Sequence, residues 1–126
     1  MSLYHLPTHK DSRGNLTVGE FSELPFYPKR FFIVYGANGV RGNHAHYECE
    51  HFLVCVNGEV TVSLDDGENV TKHLLTDKDI GIHIPSMVWD KQFDFSEDAV
   101  VLVFASEAYD PDDYITDYTE FKNEVC

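Results

Sequence analysis

The sequence predicts an all-β sandwich or barrel that ends in one short helix. Three observations lead there. Runs rich in Val, Ile, Phe and Tyr recur about every 8 to 12 residues as far as Ala105. Turn signals separate them, above all Asn57-Gly58 and Asp65-Asp66-Gly67. After Ala105 the period changes, and Ile115, Tyr118, Phe121 and Val125 fall at helical spacing.

Taken in order, Leu3 and Leu6 suggest a short edge strand, and Asp11-Ser12-Arg13-Gly14 a turn. Asn15 to Phe21 alternates as a strand. Leu24-Pro25-Phe26-Tyr27-Pro28 holds two prolines and reads as an irregular connection. Arg30 to Gly36 is a strong β run of aromatic and β-branched residues. After Ala37-Asn38-Gly39 comes a strand bent near Arg41-Gly42 that carries His44 and His46 and continues through Phe52 to Val56. Asn57-Gly58 predicts a hairpin to Glu59–Leu64. Asn69 to Leu75, Ile80 to Ile84, Met87 to Phe95 and Ala99 to Ala105 complete the strands. The closing helix is expected from about Asp113 to Glu124, capped by Asp110 or Asp112.

A chain of 126 residues is one domain by its length, long enough to bury a core without staples. Its net charge of -13 argues against nucleic acid and anionic membranes as partners. The charge is uneven. Residues 1–41 hold five of the nine basic residues, all three arginines among them, but only three of the 22 acids. A phosphate-bearing ligand would draw its bidentate contacts from Arg13, Arg30 and Arg41. Cys49, Cys55 and Cys126 show no metal-type spacing. With no signal peptide or membrane span evident, a reducing cytoplasm is the expected compartment.

Chemistry concentrates between Gly39 and Gly58. Alternate side chains of a strand share a face, so His44 and His46 point one way. Glu48 and Glu50 follow them if the strand runs on without a bulge, and His51 then points to the opposite face as a structural residue. Two imidazoles and a carboxylate converging in an interior are costly to bury without a purpose. A solvated strand end is the plainer alternative.

Gly39, His44, His46, Glu50 and Gly58 resemble the first motif of the cupin superfamily. Gly39 lies one residue closer to His44 than in the pattern, and Glu50 one residue farther from Gly58. The second motif is half present: Gly81 and Pro85 are near their places, but Met87 replaces a glycine. Asp90 stands where the fourth metal ligand would be. The resemblance implies a double-stranded β-helix, a jelly-roll barrel, over residues 1–126. Two His, one Glu and one Asp form a conceivable Mn, Fe, Ni or Zn set. The missing histidine at Asp90 weighs against it, and no metal or other cofactor is expected. Asp90 is left as a solvated strand residue or as a carboxylate orienting a histidine.

A narrower resemblance spans almost the whole chain. It is carried in order by Asp11-Ser12-Arg13-Gly14-Asn15-Leu16, Arg41-Gly42-Asn43-His44-Ala45-His46, Leu53 to Gly58, Leu64-Asp65-Asp66-Gly67, Val88-Trp89, Asp94-Phe95-Ser96, Tyr109-Asp110 and Asp113-Tyr114-Ile115. This set resembles the sugar 3,4-ketoisomerases of deoxysugar biosynthesis, which act on dTDP-4-oxo-6-deoxy-D-glucose. The chain departs from them at Tyr47, His51 and Asp90.

That resemblance implies a homodimer and a metal-free shift of a carbonyl from C4 to C3 through an enediol. His46 becomes the base at C3, and His44 a proton donor or relay toward C4. Tyr35, on the preceding strand, would donate to a sugar oxygen, or else fill the core. Arg41 would hold the pyrophosphate or position the sugar, with Arg13 a second phosphate candidate. Trp89 would wall the pocket or fill the core. Glu50 would orient His46 or touch the ligand, and Asp90 would lie in or beside the pocket. A nucleotide-sugar 3,5-epimerase and a noncatalytic or metal-binding cupin are the alternatives from other classes.

Overall fold

A computed structural model describes residues 2–126. The strands are, in chain order, β1 (Leu3–His5), β2 (Thr8–Asp11), β3 (Gly14–Thr17), β4 (Arg30–Tyr35), β5 (Arg41–His46) and β6 (His51–Asn57). Then come β7 (Val60–Asp65), β8 (Val70–Leu75), β9 (Ile80–Ile84), β10 (Trp89–Phe93), β11 (Val100–Ala105) and β12 (Tyr114–Ile115), with helix α1 (Tyr118–Val125) last. Two five-stranded antiparallel sheets form, ordered β1-β9-β6-β11-β4 and β12-β5-β10-β7-β8, and β2-β3 makes a separate hairpin. This is the expected cupin-like β architecture with its short C-terminal helix.

The alternation of each strand assigns its faces. Val34, Leu53, Cys55, Val60, Val62, Leu64, Ile82, Ile84, Val101 and Val103 fill the space between the sheets. Burying one such Val, Leu or Ile stabilises the fold by about 1.5–3 kcal/mol. The outer faces are covered locally. Leu24, Tyr4, Leu6 and Phe26 pack over Phe52 and Val54 on the first sheet. Phe121 and Ile115 cover Ala45 and Trp89 on the second.

Three expectations are corrected. Asn57-Gly58 is not a hairpin, because β6 pairs with β9 and β11 while β7 pairs with β8 and β10. It is a corner that carries the chain from one sheet to the other. Gly58 has φ 69°, and a Cβ there would lie 2.2 Å from Ser96 Oγ, so glycine answers both demands. The second correction concerns the histidine strand, which is two strands. β5 stops at His46, Tyr47–Glu50 turns, and β6 restarts at His51. The third is the helix, which begins later than expected. Asp110 caps only the 3-10 turn Pro111–Asp113, whereas Asp117 accepts from Thr119 N at 2.8 Å and Glu120 N at 3.2 Å to start α1.

Candidate active site

Beyond the apolar core, the space between the sheets turns polar. In β5 the inward positions are His44 and His46, with Ala45 outward in the α1 cluster. In β6 His51 shares the parity of Leu53 and Cys55 and therefore points inward. The three imidazoles form an edge-to-face column, with ring centroids 4.8 Å apart for His44–His46 and 4.9 Å for His46–His51. Tyr114 of β12 pairs across from His46 and lies 4.4 Å from its ring and 5.0 Å from that of His44. His46 is only 4% exposed and His51 6%, and neither Nε2 has a hydrogen-bond partner.

A cavity of about 260 Å³ opens onto this column, lined by Arg30, Phe32, Arg41, Gly42, His44, His51, Gln92, Tyr109 and Tyr114. The roomier depression lined by Asn38, Val40 and Phe95 holds no histidine. Arg30 is fixed from three sides. Its Nε donates to Glu107 O at 3.1 Å, and its guanidinium lies 5.4 Å from the Phe32 ring centre and 5.9 Å from that of Tyr109.

Electrostatics follow from burial. His44 titrates below its ordinary range because burial disfavours the imidazolium. Burial, then the neighbouring His44, pushes His46 down to about 4. Burial, then His46, pushes His51 down to about 3. All three rings are thus neutral at pH 7, able to accept a proton as well as give one. Asp90 shows the opposite shift, since burial raises its carboxyl to about 7. It pairs with His44 across β10 and β5 but bonds Gln92 Nε2 at 2.8 Å, not an imidazole, and its Oδ1 has no partner. The close seat over Gly42, where a Cβ would come 2.8 Å from Asp90 Oδ2, and Gly42's φ of 72° both call for glycine there.

No group of three or more His, Cys, Asp or Glu among the described residues stands in metal-holding geometry. A family model described as "FdtA: WxcM-like, C-terminal" matches residues 1–126. The chain belongs to that family.

Members of known activity are close. The TDP-4-oxo-6-deoxy-alpha-D-glucose-3,4-oxoisomerase of Aneurinibacillus thermoaerophilus is 40% identical over 119 residues, covering 92% of this chain and 86% of that one. QdtA of Thermoanaerobacterium thermosaccharolyticum, a 3,4-ketoisomerase solved as a mutant with TDP-4-keto-6-deoxyglucose, is 33% identical. It superposes with a TM-score of 0.94 over 98% of this chain and 92% of its own. The TDP-fucose-3,4-ketoisomerase WlaRA of Campylobacter jejuni gives 0.92 at 29% identity, over 99% and 95%. The FdtA-family chain is accordingly an enzyme of the sugar 3,4-ketoisomerase class. Likeness to the 3'-monoepimerase ChmJ of Streptomyces bikiniensis, at 14% identity and a TM-score of 0.79, shows the shared fold alone.

Within this FdtA-family barrel, His44 and Arg41 line the cavity, His46 packs edge-to-face on His44, and Asp90 is buried beside Gly42. Four other candidates lie elsewhere. Tyr35 is 75% exposed on the outer face of β4 with Phe31 and Ile33, because Phe32 and Val34 take the inward positions. Trp89 faces α1, packing on Phe121 and donating from Nε1 to Asn43 Oδ1 at 3.1 Å. Arg13 is held by Asp11 at 2.7 Å on the exposed β2-β3 hairpin. Glu50 bonds His83 Nε2 at 2.7 Å, so it does not orient His46. In their place the cavity gains His51, Tyr114, Tyr109, Arg30 and Gln92. His51 was findable by counting back in twos from the core residues Cys55 and Leu53. Tyr114 had only its place in the Asp113-Tyr114-Ile115 match as a signal.

Proposed function

We propose that the protein moves the carbonyl of a TDP-linked 4-oxo-6-deoxyhexose from C4 to C3. The observation that carries this reading is the column of neutral imidazoles on a cavity of sugar size, in a barrel of the FdtA family. At about 260 Å³ the cavity is smaller than most whole-ligand sites. It suits the hexose and leaves the nucleotide outside, where the exposed Arg41 at the rim is the handle for the pyrophosphate.

The ketone at C4 acidifies the C3 proton. His46 takes that proton while a donor protonates O4, giving the enediol. Collapse of O3–H to the ketone, with protonation at C4 through His44, yields the 3-oxo sugar. The C3–H pair becomes the C3=C4 bond and then the new C4–H bond, so no external redox partner is consumed. A homodimer accompanies this reading. Its support is the row Phe31, Ile33 and Tyr35, all exposed on the edge strand β4.

Incubation with dTDP-4-oxo-6-deoxyglucose in D2O, followed by NMR, tests the activity. A 3-oxo product with deuterium in the ring is expected. His46→Asn should lower turnover by about 10²-fold or more, and normal turnover in that variant would remove His46 as the base.

A further inference from the structure

Resting on the ketoisomerase reading, we propose that Tyr114, backed by Arg30, is the catalytic residue that carries the oxygen proton, giving it to O4 and taking it back from O3. The reaction needs two separate proton traffics. One runs between carbons C3 and C4, and the histidines serve it. The other runs between oxygens, and Tyr35, the phenol expected for it, points out of the barrel.

Tyr114 is placed to fill that role. It lines the cavity, and its ring lies within 4.4 Å and 5.0 Å of the His46 and His44 ring centres. Arg30 lines the same cavity, and the charge of its guanidinium pulls the phenol's titration down. That guanidinium is already anchored by Glu107 O and flanked by Phe32 and Tyr109, so a phenolate formed at Tyr114 would meet a fixed positive charge. The phenol's place is itself enforced. Asp113 accepts from Glu48 N at 2.9 Å through Oδ1 and from Cys49 N at 3.0 Å through Oδ2. Its carbonyl accepts from Tyr47 N at 3.0 Å. The residue before Tyr114 thus grips the turn that joins the His46 strand to the His51 strand. Burial raises the phenol's titration against the opposing pull of Arg30, so the acid form is the resting one.

The step balances. As His46 removes the C3 proton, Tyr114 gives its O–H proton to O4, leaving the enediol and a phenolate facing Arg30. As C4 is protonated, the phenolate takes the O3 proton, the O3–H pair becomes the C3=O bond, and the phenol is restored.

Tyr114→Phe keeps the ring against His46 and removes only the hydroxyl. It is expected to lower kcat by about 10²- to 10³-fold, with KM, TDP binding by calorimetry and the melting temperature near the wild-type values. Turnover within about twofold of an active wild type would overturn the role of Tyr114 while leaving the ketoisomerase reading intact. An inactive wild type would overturn both. A second variant carries 3-fluorotyrosine at position 114, whose phenol is more acidic. The alkaline limb of its pH–rate profile should move to lower pH, and an unmoved limb would count against the proposal, because ring packing alone shifts no limb.

Discussion

At the scale of single residues, burial decides which protonation states are ready. His46 and His51 are held neutral because an imidazolium between the sheets would lose its hydration. Asp90 is held near the balance point by the same cause acting on the opposite charge. The sign of its contribution to stability follows from linkage. Its folded value, about 7, lies above the ordinary 3.8. Between those two values the folded chain keeps a proton that the unfolded chain releases, so stability falls as pH rises and the loss is complete above about 7. Asp90→Asn removes this cost while its side-chain oxygen can still accept from Gln92. Thermal unfolding across pH should show the variant gaining on the order of a few kcal/mol at pH 8, with the gain shrinking toward pH 4. A variant less stable than wild type at pH 8, or a gain independent of pH, would contradict the assignment.

At the scale of elements, the turn Tyr47–Glu50 matters as much as the strands it joins. By ending β5 and restarting the register at His51, it brings a third imidazole inward and sends Glu50 out to His83. One residue of register exchanges the two faces of a strand. Asp113 holds this turn with both carboxylate oxygens, so Asp113→Ala strands the Glu48 and Cys49 amides. A loss of about 1–3 kcal/mol is expected in denaturant unfolding, with kcat falling along with it because Tyr114 and His46 lose their shared anchor. Unfolding within about 0.5 kcal/mol of wild type would show that the clamp is dispensable.

At the scale of the whole molecule, the two sheets divide the labour. Local segments cover part of each outer face, but Phe31, Ile33 and Tyr35 on edge strand β4 remain uncovered. Light scattering should give twice the 14.4 kDa chain mass, and Ile33→Lys, together with Phe31→Lys, should shift it to the monomer. A monomeric wild type would remove the dimer. The net charge of -13 leaves the few arginines as the main attraction for an anionic ligand, and Arg30 and Arg41 both line the cavity that His44 and His51 line.

Most strands, a short C-terminal helix and the shared inward aim of His44 and His46 were legible in the amino-acid order. Alternation and turn chemistry are local, and so is the spacing that aims two histidines the same way. The inward turn of His51, the outward turn of Tyr35 and Trp89, and the arrival of Arg30 and Tyr114 beside the imidazoles were decided by the tertiary structure. Faces are assigned only once two sheets close on each other. A break in register at Tyr47–Glu50 and a strand pairing between Tyr114 and His46 join residues whose relation no local pattern encodes.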